Sequence, residues 1–171
     1  MKAQLSFEYM LAFGIFIGIV VYIYLSYIRN IPPFIDEITK EAIRSDVYQI
    51  SELLVNNPGE PAGWSNAATS RRIGFLNETA NRENFLSETK ITNGISFCGS
   101  NYNSFKGKIG TNKNFTLVIL DVDTRTGTRT LIGSCNANIA KTSVNTTIKR
   151  IVTYTRQATG QIRVAELMVQ V

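Results

Sequence analysis

The chain has 171 residues, room for one long helix and one modest domain. It carries 18 Lys and Arg against 13 Asp and Glu, a formal net charge of +5, and no histidine, so histidine-based triads and ordinary histidine-ligated metal centres are excluded. Hydrophobic residues make up 44% of the chain, but they crowd at the N-terminus, which leaves the remainder more polar than that average.

From Tyr9 to Ile28 the chain is uncharged and mostly apolar. At about 1.5 Å per residue, a helix of this length spans the roughly 30 Å hydrocarbon core of a bilayer. Ahead of it stand Met1-Lys2-Ala3 and then Gln4-Leu5-Ser6-Phe7-Glu8-Tyr9. The acid Glu8 sits at the mouth of the apolar run, where a plain anchor has no use for it. The run is longer than the apolar part of a secretory signal, and no small-x-small site follows it before Arg29.

This N-terminus resembles that of type IV pilin precursors, in particular archaeal proteins with class III signal peptides. Those have a short basic leader ending in a small residue, then Gln-x-Ser-x-Glu-aromatic, then an unbroken apolar helix; the match covers residues 1–28. The resemblance implies a leader over 1–3, a prepilin peptidase that cuts between Ala3 and Gln4, and a transmembrane, filament-core helix over 4–28. It implies that Glu8 pairs with the new ammonium at Gln4 of a neighbouring subunit. It also implies the partners: other copies or other pilins through this helix, the peptidase, the membrane platform for pilus assembly, and lipid before assembly. The physical argument agrees, because a carboxylate and an ammonium near lipid are each costly alone and less so together. The residues by themselves leave a plain signal anchor open, with Glu8 at the interface. Both readings put the rest of the chain outside the cell, since Lys2 stays inside and few basic residues follow the helix closely.

Pro32-Pro33 predicts a kink or break, or the start of a second helix. Beyond it Ile35, Ile38, Ala42, Ile43, Val47, Ile50, Leu53 and Leu54 recur at helical spacing, with charged residues on the other faces. Residues 29–56 therefore read as an amphipathic continuation that lays one stripe on a globular domain, ended by Asn56-Asn57-Pro58-Gly59. Residues 57–171 read as an extracellular head, mainly antiparallel β. Its first part, to residue 90, is rich in loops, with a short helix expected over 80–89. From the end of the 29–56 segment the chain carries in order Leu53-Leu54, Gly59-Glu60-Pro61-Ala62-Gly63-Trp64, Ile73-Gly74-Phe75, Leu86-Ser87 and Lys90-Ile91. This succession resembles, more loosely, archaeal pilin-like membrane proteins of unassigned function. Trp64, the single tryptophan, is expected to plug a gap between helix and sheet, with an exposed adhesive aromatic as the alternative. From Ile91 the pattern turns to strands. Residues 115–122 and 128–133 flank a turn at 123–127, and 144–156 and 161–171 flank Ala158-Thr159-Gly160, so two hairpins are predicted. Val152, Tyr154, Val164, Leu167 and Val169 are the expected inward residues. The fold class is α+β: a long N-terminal helical spine, apolar then amphipathic, packed on a C-terminal antiparallel sheet domain.

Outside the cell the two cysteines, Cys98 and Cys135, are most simply a disulfide. Free buried thiols or a redox pair are the alternatives, and the separation is wrong for Cys-x-x-Cys. Three sequons offer N-glycosylation at Asn77, Asn114 and Asn145, with Asn77 favoured by its loop setting. Asp121 and Asp123 share one side of a strand and read as a solvated strand end, with calcium ligation as the alternative. No phosphate loop, nucleophile elbow or zinc spacing occurs. The expected protein is thus not an enzyme and needs no cofactor or metal. It is a major or minor pilin, anchored as a precursor and displayed on the cell surface after assembly. The alternative is an uncleaved, membrane-anchored adhesion protein. In a minor pilin or such a receptor, loops 57–70 and 99–113 would contact a surface or glycan ligand. The scattered basic residues, including Arg71-Arg72 and Lys149-Arg150, read as solvated surface, with an anionic partner as the sharper alternative.

Overall fold

The apolar run opens helix α1, which in this computed structural model extends Lys2–Asn56. The structure describes the backbone of residues 2–80, 82–136 and 146–171, with side chains from Phe7 onward. The chain divides into two units, Met1–Glu41 and Ala42–Val171. In the first, α1 continues through Pro32 and Pro33 without the predicted break. Each proline removes one amide donor, so only the carbonyls of Ile28 and Arg29 lose their usual partners, and the helix resumes beyond them.

In the second unit the last turns of α1 bury Val47, Ile50, Leu54 and Val55, with Ile43 and Leu53 packed beside them. The predicted stripe thus enters the core from Ile43 onward, whereas Ile35 and Ile38 are exposed. A five-stranded sheet has the order β1-β4-β5-β2-β3. Its strands are β1 (Phe85–Ser87), β2 (Thr116–Val122), β3 (Arg129–Asn136), β4 (Thr147–Thr155) and β5 (Ile162–Gln170). The β1–β4 pair is parallel and the others are antiparallel. Leu117, Ile119, Val152, Tyr154, Leu167 and Val169 form the inner face. Val164 does not join them: Ala165, Leu167 and Val169 alternate inward, so its parity sends it to the other face, half-buried.

Two helices stand where strands were expected from Ile91. They are α2 (Glu88–Ser100) and α3 (Tyr102–Ile109). The short helix expected over 80–89 is also displaced, because β1 occupies Phe85–Ser87 and α2 starts after it. Loop 99–113 is largely α3. In α2, Thr, Asn, Ser and Gly hide the helix from propensity, but Ile91, Gly94 and Cys98 are buried at helical spacing. Gly94 is required by packing: a Cβ there would lie 2.6 Å from the Phe75 ring.

Cys98 of α2 and Cys135 of β3 form a disulfide, their Cα atoms 5.7 Å apart and 37 positions apart in sequence. Closing a loop of that size restricts the unfolded chain, which is worth about 4 kcal/mol in the entropic account. The double variant Cys98→Ser/Cys135→Ser should therefore lose about 3–4 kcal/mol in urea unfolding. Reductant should destabilise the parent protein and leave the variant unchanged.

Candidate functional site

Along Phe7 to Ile28 the large apolar side chains of α1 are exposed on every side, Phe7 at 69% and Tyr22 at 73%. The most apolar window has a mean hydropathy of 2.2 and contains no buried residue, so the helix is long and apolar enough to cross a membrane. Burying a large apolar side chain is worth about 1.5–3 kcal/mol, so the row as a whole carries a driving force on the order of tens of kcal/mol towards lipid or other helices. Glu8 is exposed at the start of this surface. The side chains of Ala3 and Gln4 lie outside the described residues.

Gly14 and Gly18 lie on one face of α1, and among the described residues nothing beyond the helix's own adjacent backbone comes within 4 Å of where a Cβ would stand. In an apolar helix this spacing lets a second backbone approach closely. The sequence expectations did not include the pair; its signal was Gly-x-x-x-Gly inside an apolar run.

The second cluster lies in the head, where the scattered segments of the looser resemblance meet. The Phe75 N–H donates to the Leu54 carbonyl at 2.7 Å, and the Ser87 N–H donates to the Phe75 carbonyl at 2.9 Å. Trp64 is buried, as the gap-filling reading requires, and its indole N–H donates to the Gly74 carbonyl at 3.1 Å. Gly74 has no room for a side chain, since a Cβ would fall 2.0 Å from the Asn57 carbonyl oxygen. At the centre is Lys90, 3% exposed. Its ammonium shares three N–H groups among four acceptors, the carbonyls of Pro58 and Leu76, both at 2.9 Å, the Ala62 carbonyl, and Glu78 Oε2 at 2.6 Å. Partial burial pushes the Glu78 carboxyl up, but hydrogen bonds from Lys90 and from its own backbone N–H, with the Lys90 charge, hold it below the ordinary value. Lys108 does similar work, donating to Ala67 at 3.0 Å, Ala68 at 2.8 Å and Ser70. Two ammonium groups therefore bind the carbonyl-rich loop to α2 and α3.

Two charged positions read as surface have internal roles. Arg150 points from β4 to α1: its Nε donates to Ser51 Oγ at 2.9 Å, its Nη2 pairs with Glu52, and its guanidinium lies 4.7 Å from the Tyr48 ring centre. Asp121 is buried at the end of the inner face, 3.7 Å from Arg163. Burial and the charge of Asp121 push the Tyr154 hydroxyl up to about 12. Asp123 instead closes the β2–β3 turn, its Oδ1 accepting the Arg125 N–H at 2.8 Å. The two acids thus serve an internal ion pair and a turn. Arg71 and Arg72 are exposed, Arg71 lying 3.5 Å from Glu60.

Of the three sequons, Asn77 lies in the loop before β1, Asn114 lies two residues before β2, and Asn145 lies outside the described residues. Compared with known proteins, the chain matches no family model, no curated protein and no solved structure. Residues and fold together define an α+β protein in which a membrane-length apolar helix precedes a mostly antiparallel sheet.

Proposed function

We propose that this chain is a structural subunit, major or minor, of an archaeal type IV pilus-like surface filament. The observation that carries the reading is the coincidence of a fully exposed, bilayer-length apolar helix with an acid, Glu8, at its mouth. Before assembly the helix rests in lipid and the head lies outside the cell. A prepilin peptidase cuts between Ala3 and Gln4 and creates an ammonium at Gln4. In the filament that ammonium meets Glu8 of a neighbouring subunit, which fixes the axial register. The apolar faces exchange lipid for other helices, with Gly14 and Gly18 allowing one close approach. The membrane assembly platform and the peptidase are the implied partners, together with other copies or other pilins.

The deciding measurement is the intact mass of the protein from native membranes and from sheared surface filaments. The expected mass lacks Met1-Lys2-Ala3, and Ala3→Ile should leave the tripeptide attached. A native chain that keeps its first three residues and never enters a filament overturns the proposal. It would then be an uncleaved, membrane-anchored adhesion protein.

A further inference from the structure

We infer that Asn77 carries an N-linked glycan and that Asn114, which has the same type of sequon, does not. The inference rests on the extracellular placement of the head proposed above. Sequence offers both sites, as Asn77-Glu78-Thr79 and Asn114-Phe115-Thr116, and favours Asn77 only by its loop setting; the fold separates them by the bonds each sequon makes.

Asn77 sits in a segment outside helix and strand, and both Glu78 and Thr79 have exposed surface. Asn77 Oδ1 accepts the Thr79 hydroxyl at 2.8 Å and the Thr79 N–H at 3.2 Å. Two donors on the carbonyl oxygen draw electron density from the carboxamide, which makes an Nδ2 proton easier to lose. Nδ2 makes no hydrogen bond among the described residues, and Asn77 lines an open groove of about 590 Å³ beside Glu52, Asn56, Arg82 and Glu83. Glu78 holds the base of the turn through Lys90, so Asn77 and Thr79 are presented from a fixed support.

Asn114 is also exposed, outside helix and strand, and beside an open groove of about 580 Å³, whereas Asn77 is half-buried; what Asn114 lacks is the bonding within its own sequon. Its Oδ1 accepts the Lys106 ammonium at 3.0 Å, and the Thr116 hydroxyl donates to Asn136 at 2.7 Å rather than to its own asparagine. Phe115 between them is fully buried, and its N–H and carbonyl are both bonded to the Tyr102 hydroxyl. Asn114 itself is exposed, but seating its whole sequon in an enzyme would require pulling Phe115 from the core and opening the start of β2.

In the transfer, Asn77 Nδ2 attacks the anomeric carbon of a saccharide carried on a lipid phosphate or pyrophosphate. The N–C bond forms and the C–O bond to phosphate breaks. The lipid phosphate leaves with the bonding pair, and one amide proton passes to a base of the membrane transferase.

The test is tandem mass spectrometry of tryptic peptides from the full-length protein isolated from its own membranes. Peptide 73–82 should carry a saccharide mass, and peptide 114–125 should not. Asn77→Gln and Thr79→Ala should lose the modification and Thr79→Ser should keep it, with Trp64 fluorescence reporting an intact head in each. A bare Asn77 beside other glycoproteins in the same membranes overturns the inference, as does a saccharide on Asn114. Protease added to intact cells separates the two readings. If the head is cut and Asn77 is bare, only the glycan inference falls; if the head is protected and Asn77 is bare, the placement falls with it.

Discussion

Replacing Lys90 by methionine is expected to destabilise the head by about 3–5 kcal/mol. Methionine fills nearly the same volume but supplies no proton to the carbonyls of Pro58, Ala62 and Leu76 or to Glu78. A buried acceptor without a donor costs about 1–3 kcal/mol; Pro58 and Leu76 are half-buried and Ala62 is exposed, so each of the three losses lies towards the low end. Domains of this size are stable by only about 5–15 kcal/mol, so the loss is a large share of the whole. Urea unfolding of the detergent-solubilised chain measures it. Trp64 reports directly, because its indole is bonded to Gly74 within the same cluster. Glu78→Gln separates the ion pair from the carbonyl contacts. Its carboxylate is about a third exposed, so that variant should cost only about 1 kcal/mol or less. Equal losses in the two variants would show the pair, not the carbonyls, to be the stabilising element. The pH dependence has a definite sign. The Glu78 carboxyl is held below its ordinary 4.5 in the folded state, so its contribution is present above that value and is lost as pH falls through the folded pKa. Lys90→Met should lack this part of the acid destabilisation.

The sequence was most readable where one physical pattern acted alone. The apolar run could only be a helix seeking lipid or other helices, and α1 runs through all of it. The β-branched, apolar run at 115–122 and the strand read at 161–171 yielded β2 and β5 to within a residue or two. Residues 88–109 were misread because their helices depend on tertiary contacts: α2 packs through a glycine against Phe75, and α3 buries Phe105 and Ile109. Local propensity carries no trace of those contacts. Lys90 was legible only as part of an ordered motif. Its role needs the loop at 58–78 folded back onto α2, a long-range arrangement with no local signature. Val164 shows the smallest version of the same limit. A one-residue parity choice in β5 sends it to the opposite face, and composition cannot decide that choice.

Glu8→Ala should leave folding, membrane insertion and peptidase cleavage intact and abolish filament assembly. In the proposed filament the Gln4 ammonium packs among apolar helices, and Glu8 of a neighbour is its counter-charge. Breaking such a pair by removing one partner costs about 3–5 kcal/mol. At about 1.4 kcal/mol per tenfold, that is a loss of roughly 100-fold or more in affinity at every subunit addition. Glu8→Asp should assemble partly, since the charge remains but its reach is shorter. The plain-anchor reading predicts the opposite sign. There the acid only burdens a helix entering lipid, and removing it should keep or raise the membrane-bound amount. Sheared filament yield by electron microscopy, set against total membrane protein and mature N-terminal mass, reads both quantities from one culture. Normal filaments from the cleaved Glu8→Ala protein would remove the proposed role of Glu8. Loss of filaments with membrane protein undiminished would assign the acid to contact between subunits rather than to lipid.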